Sequence, residues 1–423
     1  MHAVCANARS HMLQFTSHSE RLPLRPCGMR AGAGEHCVAQ SRSRGEQRVG
    51  YRIGHANSWP SVLAGASEGN RRDVTPHLEP TVLPEVSVVI PVKNSQRTIR
   101  PTVDALLTQD YPALAEVIVV GDVGDRTWQA LADITDPRLV MVEHEQMPGK
   151  REPATKRDAG LRKASGQILA LVDSDINMDR DWLSHAVTLL TEQQGGVVCG
   201  GMRGITKSFW SRFVDGNTLA AKTPRVPRSY LVTAGNFGKL GRKPPITANV
   251  VLSRDVYDDC PMDETWGYGY EDYEWFWRIA RSGHRILYAA GLEGAHHHRQ
   301  SFRALAREYR ISAEGCSHFI TAYPDSPLAR KRRRQALLLP LGAAALVAAS
   351  GAALFSGYGL IPLVAALTVT AGITVREIVQ ARRLEAVAYV VAGLALSSLF
   401  VFCLGWLAAR QVCASGRRAR LAW

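Results

Sequence analysis

Between residues 86 and 172 four short apolar runs alternate with polar, helix-like stretches, and this alternation constrains the fold more than any other feature of the chain. The runs read VSVVIPV (Val86–Val92), EVIVVGD (Glu116–Asp122), RLVMVE (Arg138–Glu143) and QILALVD (Gln167–Asp173). Between them lie SQRTIRPTVDALLTQ, DRTWQALADIT and REPATKRDAGLRKAS, each expected to be a helix. Continuous β-branched runs separated by helices predict an α/β fold with a mostly parallel sheet covered on both faces. In such sheets ligands bind beyond the carboxyl ends of the strands.

Charge divides the 423 residues into three parts. Lys and Arg number 10 against 6 acids in residues 1–80, 29 against 30 in 81–325, and 12 against 2 in 326–423. The formal charge of +13 therefore lives in the tails, and the nearly neutral centre argues against a nucleic-acid substrate. Residues 1–80 are rich in Ser, Arg, Gly and His without a sustained period, and are expected to be disordered and to hold no secretory signal. Residues 81–325 form the α/β domain. Residues 326–423 contain Gln335–Phe355, Tyr358–Val375 and Ala386–Ala409, apolar and uncharged, which predict a membrane domain of two to three transmembrane helices. RKRRR (Arg330–Arg334) precedes the first and predicts that the α/β domain faces the cytoplasm of a multi-pass cell-membrane protein. Three full crossings would leave Arg410, Arg417, Arg418 and Arg420 on the wrong side, so one segment is expected not to cross completely. The eight cysteines show no CxxC pair, which fits a reducing compartment.

The strand ends carry the chemistry. The first run ends at Pro91-Val92-Lys93-Asn94, the second at Gly121-Asp122 and the fourth at Asp173-Ser174-Asp175. A turn alone accepts Asp-Ser-Asp, because short polar side chains bond to the backbone there. In a parallel sheet, however, the three ends share one rim, and two close carboxylates repel unless a cation or proton lies between them. Mg²⁺ or Mn²⁺ suits such a site and shares its coordination with substrate phosphates. A second acidic group, Glu271, Asp272 and Glu274, opens an expected helix with Trp275, Phe276 and Ile279 on its buried face. The macrodipole alone favours acids in a first turn. The Gly and Tyr residues crowded before them point instead to a shaped pocket.

VSVVIPVKN, the DSD after a fourth strand, GYEDYEWFWRIARSGHRI (Gly269–Ile286) and HHHRQS (His296–Ser301) together resemble the family 2 glycosyltransferases of the GT-A fold, over roughly residues 85–320. The membrane tail is similar to that of bacterial members acting on lipid-linked or polysaccharide acceptors. The resemblance implies an inverting, metal-dependent transfer of a sugar from a UDP- or GDP-linked donor. It implies that Asp175 contacts the metal, that Asp173 contacts the donor's ribose or sugar and is a second candidate metal ligand, and that Asp272 is the general base. The first strand's end, with Pro91 and Asn94, is polar enough to face a base or phosphate of the donor, and the resemblance adds Asp122 reading the nucleobase and Arg157 near the phosphates. His298 is its choice for a further metal ligand, with Glu271 and Arg299 as accessories. Two departures stand out. The second strand ends Gly121-Asp122-Val123-Gly124, one acid short of the usual DDGS, and REYRISAEG (Arg307–Gly315) replaces the QxxRW of processive synthases. The second departure favours limited sugar addition over polymer synthesis.

Two other functions fit the same pattern: a membrane scaffold that has lost catalysis, and a sugar nucleotidyltransferase. Among weaker signals, GNFGKLG (Gly235–Gly241) is expected to be a mobile loop over the site. Lys150, Arg151 and Lys156 read as a solvated face or a phosphate-binding group. Asn249 has no assigned role. Ser301–Tyr323 is expected to be an interfacial helix, with a buried helix of the catalytic domain as the alternative.

Overall fold

The four apolar runs become β1 (Val86–Pro91), β2 (Leu114–Asp122), β3 (Leu139–His144) and β4 (Ile168–Val172), paired in parallel with β1 between β2 and β4. The structure is a computed structural model that describes residues 83–145, 152–205, 208–216, 226, 228–239, 243–267, 269–356, 360–381 and 384–421. Expectations for residues 1–80, for Lys150 and Arg151, for residues 240–241 and for the side chains of Arg410, Arg417, Arg418 and Arg420 lie outside them.

Beyond β4 the sheet continues through β8 (Asn249–Ser253), β6 (Val197–Gly204), β9 (Ile286–His296) and the short β5 (Ile176–Asn177), with β7 (Tyr230–Val232) also on β9. The mostly parallel sheet expected from the alternation is in fact mixed. β8 is antiparallel to both β4 and β6, and β5 and β7 are antiparallel to β9. The chain enters β8 at the rim, where Asp173 N donates to Ala248 O at 3.3 Å, rather than through a crossover helix. It must therefore run back along β4.

Both faces of the sheet are covered. Val86, Val88 and Ile90 face α1 (Ile99–Leu107) and α3 (Trp182–Glu192). Val89, Ile118 and Leu171 face the layer of α2 (Ala154–Lys163), α6 (Glu271–Arg281) and α7 (Phe302–Ala322). Trp275, Phe276 and Ile279 are fully buried, as the periodicity of the acidic helix predicts. The helix expected over DRTWQALADIT is only a 3₁₀ turn, Arg126–Ala130, because Pro137 disfavours helical backbone at Asp136 and little chain is left to propagate a helix.

Asn249, without a role in the sequence, ties three strands together. Its amide donates to Gly201 O (3.0 Å) and Leu292 O (2.9 Å), and its oxygen accepts from Trp182 Nε1 (2.9 Å). These bonds span the register shift between Cys199 and Gly201 that lets β6 follow β9.

α7 settles the alternative left open for Ser301–Tyr323. Leu305, Tyr309, Ala313, Cys316 and Phe319 are buried in the core shared with α6, so this is a helix of the domain, capped by Ser301. Gly315 allows α7 to meet the turn before α6, since a Cβ there would overlap the Gly269 carbonyl. GNFGKLG is not a loop over the site in its described part: Phe237 is fully buried against Trp277 and Phe319, and Gly238 packs on Leu328.

Three helices follow, α8 (Pro327–Ser356), α9 (Leu360–Ala381) and α10 (Ala386–Leu421). Among the described residues one segment, Ala386–Leu407, is long and apolar enough to cross a membrane, and Val364–Arg376 is a shorter apolar helix. The basic run before α8 is partly structural. Lys331 donates to Gly238 O, Arg333 donates to Ile320 O, and Arg332 stacks 5.1 Å over the Phe400 ring of α10.

Asn249→Ala would leave Trp182 Nε1 and two strand carbonyls unpaired in a dry core. We expect a loss of about 2–4 kcal/mol, read as a lower thermal midpoint of the detergent-purified chain. An unchanged midpoint would show that the three bonds carry nothing.

Candidate active site

The parallel arrangement of β1, β2 and β4 brings Asn94, Asp122 and Asp173–Asp175 to one rim. Two consecutive side chains of α2 organise it. Lys156, 2 % exposed, donates to Val92 O (2.9 Å) and pairs with Asp122 Oδ1 (2.8 Å) and Glu152 Oε1 (3.3 Å). Arg157, also buried, pairs with Asp173 (2.8 Å) and Glu271 (3.2 Å). Burial opposes its charge, but Asp173 and Glu271 outweigh that and hold its guanidinium above the usual arginine range. Neither residue is the solvated face that a basic helix suggests. Arg157 joins the two acidic motifs, the end of β4 and the start of α6.

A further acid follows the second strand, Asp125, which the sequence motifs do not mark. Asp125 accepts from Asn94 N (2.9 Å) and from Thr127 N (2.8 Å) and Oγ1 (2.6 Å). It thereby holds Asn94 in a left-handed backbone, φ 52°. Its carboxyl lies below the usual range: burial pushes it up, and the Thr127 and Asn94 bonds pull it down further than that. The signal was present as an Asp two residues before a Thr after a glycine turn. Asp122 stays at the rim against Lys156 but does not line the cleft described below.

β5 pairs antiparallel with the end of β9, setting Ile176 opposite His296, and His297 N donates to Asp175 O (3.0 Å). Asp175 Oδ1 thus lies 3.3 Å from His296 Nε2. Its carboxyl is held below the usual range; burial opposes this, and His296 with Arg299 and His297 prevails. His298, expected to face the metal, has both ring nitrogens engaged elsewhere. Its Nδ1 meets His296 Nδ1 at 2.7 Å and its Nε2 meets Asp215 of α4 (Phe209–Gly216) at 2.9 Å. Alternation along the strand puts 296 and 298 on one side, which sequence can see, but not which of them faces Asp175.

The α6 acids begin after an unusual turn. Gly269 and Tyr270 both have positive φ, 92° and 75°, the latter costing a non-glycine residue about 1–2 kcal/mol. Gly269 N bonds to Glu271 Oε2 (2.7 Å), so Glu271 is spent between Arg157 and this turn. Asp272 faces a cavity of about 180 Å³ together with Asp173, Asp175, Tyr273 and His296. A larger cleft of about 1310 Å³ runs from Pro91–Thr98 past Asp173–Asp175 to Arg299. Arg157, Asp173, Asp175, Arg299 and Glu308 line both, so the two spaces meet at the DSD turn. A divalent cation fits the donor set there: a carboxylate oxygen and an imidazole nitrogen at the spacing of neighbouring ligands, with open cleft for phosphate oxygens. Among the described residues another group, Asp259, Cys260 and His284, also brings three ligand atoms together. The burial-raised Cys260 thiol and the 2.8 Å Asp259–His284 bond make it a poor metal centre.

Residues 87–260 match the model of the family described as glycosyl transferase family 2. The chain is similar to the glycosyltransferase AglE of Haloferax volcanii, 24 % identical over 239 residues that make up 55 % of this chain and 73 % of the relative. It is 28 % identical over 154 residues to an N-acetylglucosaminyltransferase of Azorhizobium caulinodans, 34 % of this chain and 38 % of that one. Among solved structures, the mannosyltransferase PcManGT from Pyrobaculum calidifontis in complex with GDP-Man and Mn²⁺ aligns with a TM-score of 0.49 at 22 % identity, over 75 % of this chain and 88 % of that one.

Asp125→Ala should loosen the Asn94 turn and destabilise the domain by about 1–2 kcal/mol at neutral pH. Because the folded pKa lies below 3.8, that contribution is complete above the ordinary value and fades as pH falls through the depressed one. The stability gap between wild type and variant should therefore shrink in acid. A gap that stays constant down to the acid transition would remove Asp125 from this role.

Proposed function

We propose that the chain is a metal-dependent, inverting glycosyltransferase, a reading supported by the match of residues 87–260 to the glycosyl transferase family 2 model. The chain moves a sugar from a UDP- or GDP-linked donor to a lipid-linked or glycan acceptor, one or a few sugars at a time. Its catalytic domain faces the cytoplasm beside its membrane helices. The observation that carries this reading is the meeting of the two spaces at Asp173–Asp175. One is long enough for a nucleoside diphosphate, and the other holds an aimed carboxylate, Asp272.

The hydrogen-bond chain around His298 supports the metal assignment and names a different histidine for it. Asp215 as a carboxylate only accepts, so His298 Nε2 carries the proton and His298 Nδ1 is a lone pair. With both rings neutral, His296 Nδ1 then donates to His298 Nδ1, and a cation at His296 Nε2 takes the place of the proton that otherwise joins it to Asp175. Two acceptors facing each other are stable when a cation binds both. In this reading Asp175 and His296 are the protein ligands, and Asp215 and His298 fix the tautomer as outer partners of metal-bound histidines do. Asp173, held by Arg157, is left to orient the donor.

When bound, the cation would offset the charge on the departing diphosphate. Asp272 accepts the proton of the acceptor hydroxyl while its oxygen attacks the anomeric carbon. The bond to the diphosphate breaks with its electron pair on the leaving nucleotide, and the configuration inverts. Asn94, set by Asp125, and the neighbouring β1 end line the nucleotide side. Tyr270, Tyr273 and Tyr309 wall the reaction side and keep water from the carboxylate.

Calorimetric titration of the purified chain with UDP and GDP, with and without Mn²⁺, tests the site. One nucleotide should bind in a Mn²⁺-dependent way, and Asp175→Ala should lose that dependence. His298→Ala should weaken Mn²⁺ binding by about 10–100-fold. Nitrogen coupling in the Mn²⁺ resonance should persist in His298→Ala and vanish in His296→Ala; the reverse pattern would return His298 to the metal. Asp272→Asn should bind donor normally and lose transfer by at least about 100-fold. Normal turnover in that variant sinks the base assignment, and nucleotide binding without turnover across acceptors in the wild type favours the scaffold.

A further inference from the structure

The outer face of α7 carries three arginines that none of the ion pairs at the rim uses. Arg303, Arg307 and Arg310 follow the i, i+4, i+7 spacing that lines up one stripe of a helix, and all three are exposed. Among the described residues none of them has an acidic partner or a hydrogen bond, whereas Arg157, Arg162, Arg203, Arg212 and Arg278 are all ion-paired. Like charges on one stripe oppose the helix, so the row has a cost without a visible structural return.

The position of the row gives the return. Arg303 and Arg307 line the large cleft that contains Asp173 and Asp175. The same two, with Arg310 and Leu399, line a separate cavity of about 510 Å³ between α7 and α10. Leu399 lies within Ala386–Leu407, the segment able to cross a membrane, whose Val391, Leu394, Phe402 and Trp406 are exposed. A row of cations thus starts beside the reaction site and ends on an apolar helix.

Guanidinium groups bind phosphate oxygens through paired N–H donors, while an exposed apolar helix offers nothing to a soluble sugar. We propose that the Arg303–Arg307–Arg310 row binds the phosphate or diphosphate head of a lipid acceptor, with the hydrocarbon chain lying along α10. This names the acceptor class within the glycosyltransferase reading and rests on it. The head group would be held near Asp272 and the chain would remain in the membrane.

The test uses the full chain in phosphatidylcholine nanodiscs and farnesyl diphosphate as probe, with and without saturating nucleotide and Mn²⁺. Farnesyl diphosphate should bind while the nucleotide is bound. Arg310→Ala, the position farthest from the donor cleft, should weaken it about tenfold, and Arg310→Lys should recover part of that. Nucleotide binding should be unchanged in both. Undiminished farnesyl diphosphate binding in Arg303→Ala, Arg307→Ala and Arg310→Ala would overturn the proposal. So would equal affinity for inorganic pyrophosphate, which assigns the row to a free anion. If the variants instead lose only binding to vesicles containing phosphatidylglycerol, the row serves bilayer head groups and the proposal also falls. A wild type that binds farnesyl diphosphate but no nucleotide would fail the glycosyltransferase reading and leave the lipid site standing.

Discussion

Two buried cations side by side, Lys156 and Arg157, hold the rim together. Successive helix positions point about 100° apart, so one residue reaches the ends of β1 and β2 while the next reaches β4 and α6. Without Arg157, Asp173 and Glu271 would face each other's charge in a poorly solvated place. Breaking such a pair costs about 3–5 kcal/mol, far more than a surface ion pair contributes. The same bond sets the distance between the DSD turn and the helix that presents Asp272. Stability and catalytic geometry here depend on one interaction.

A second constraint comes from the far edge of the sheet. β5 is two residues long, yet its pairing with β9 brings His296 to Asp175. Asp215 then reaches in from α4 to orient His298. The middle of α4 meets the start of α10: Arg212 pairs with Glu385 at 2.5 and 2.7 Å, and Phe213 packs on Tyr389 at 5.7 Å between ring centroids. One eight-residue helix therefore touches both the first turn of α10 and the chain of groups behind the proposed metal ligand. The catalytic layer and the apolar helix share side chains and are not simply tethered.

How far each feature was legible depended on how local it was. The four strands, the apolar face of α6 and the acids at both motifs follow from periodicity and from residues a few positions apart. The 3₁₀ turn after β2 has the apolar spacing of a helix, but Pro137 cuts it short. Asp125 lies beyond the Gly121–Gly124 stretch that matches the family motif, although its turn chemistry is local. Lys156 and Arg157 read as surface because basic residues usually are; only packing of Gly160 against Val89 shows how closely α2 lies on the sheet.

The sequence by itself determined that a sheet of apolar strands exists, that its rim is acidic, and that apolar helices follow it, because these are consequences of period and composition. Tertiary structure alone decided that β8 runs backwards, that Arg157 is spent on Asp173 and Glu271, and that His296 rather than His298 meets Asp175. Each of those outcomes depends on partners many residues away: Ala248 for Asp173, Glu271 for Arg157, Asp215 for His298. A hydrogen bond or an ion pair is specified by distance in space, and no local pattern in a chain encodes that distance.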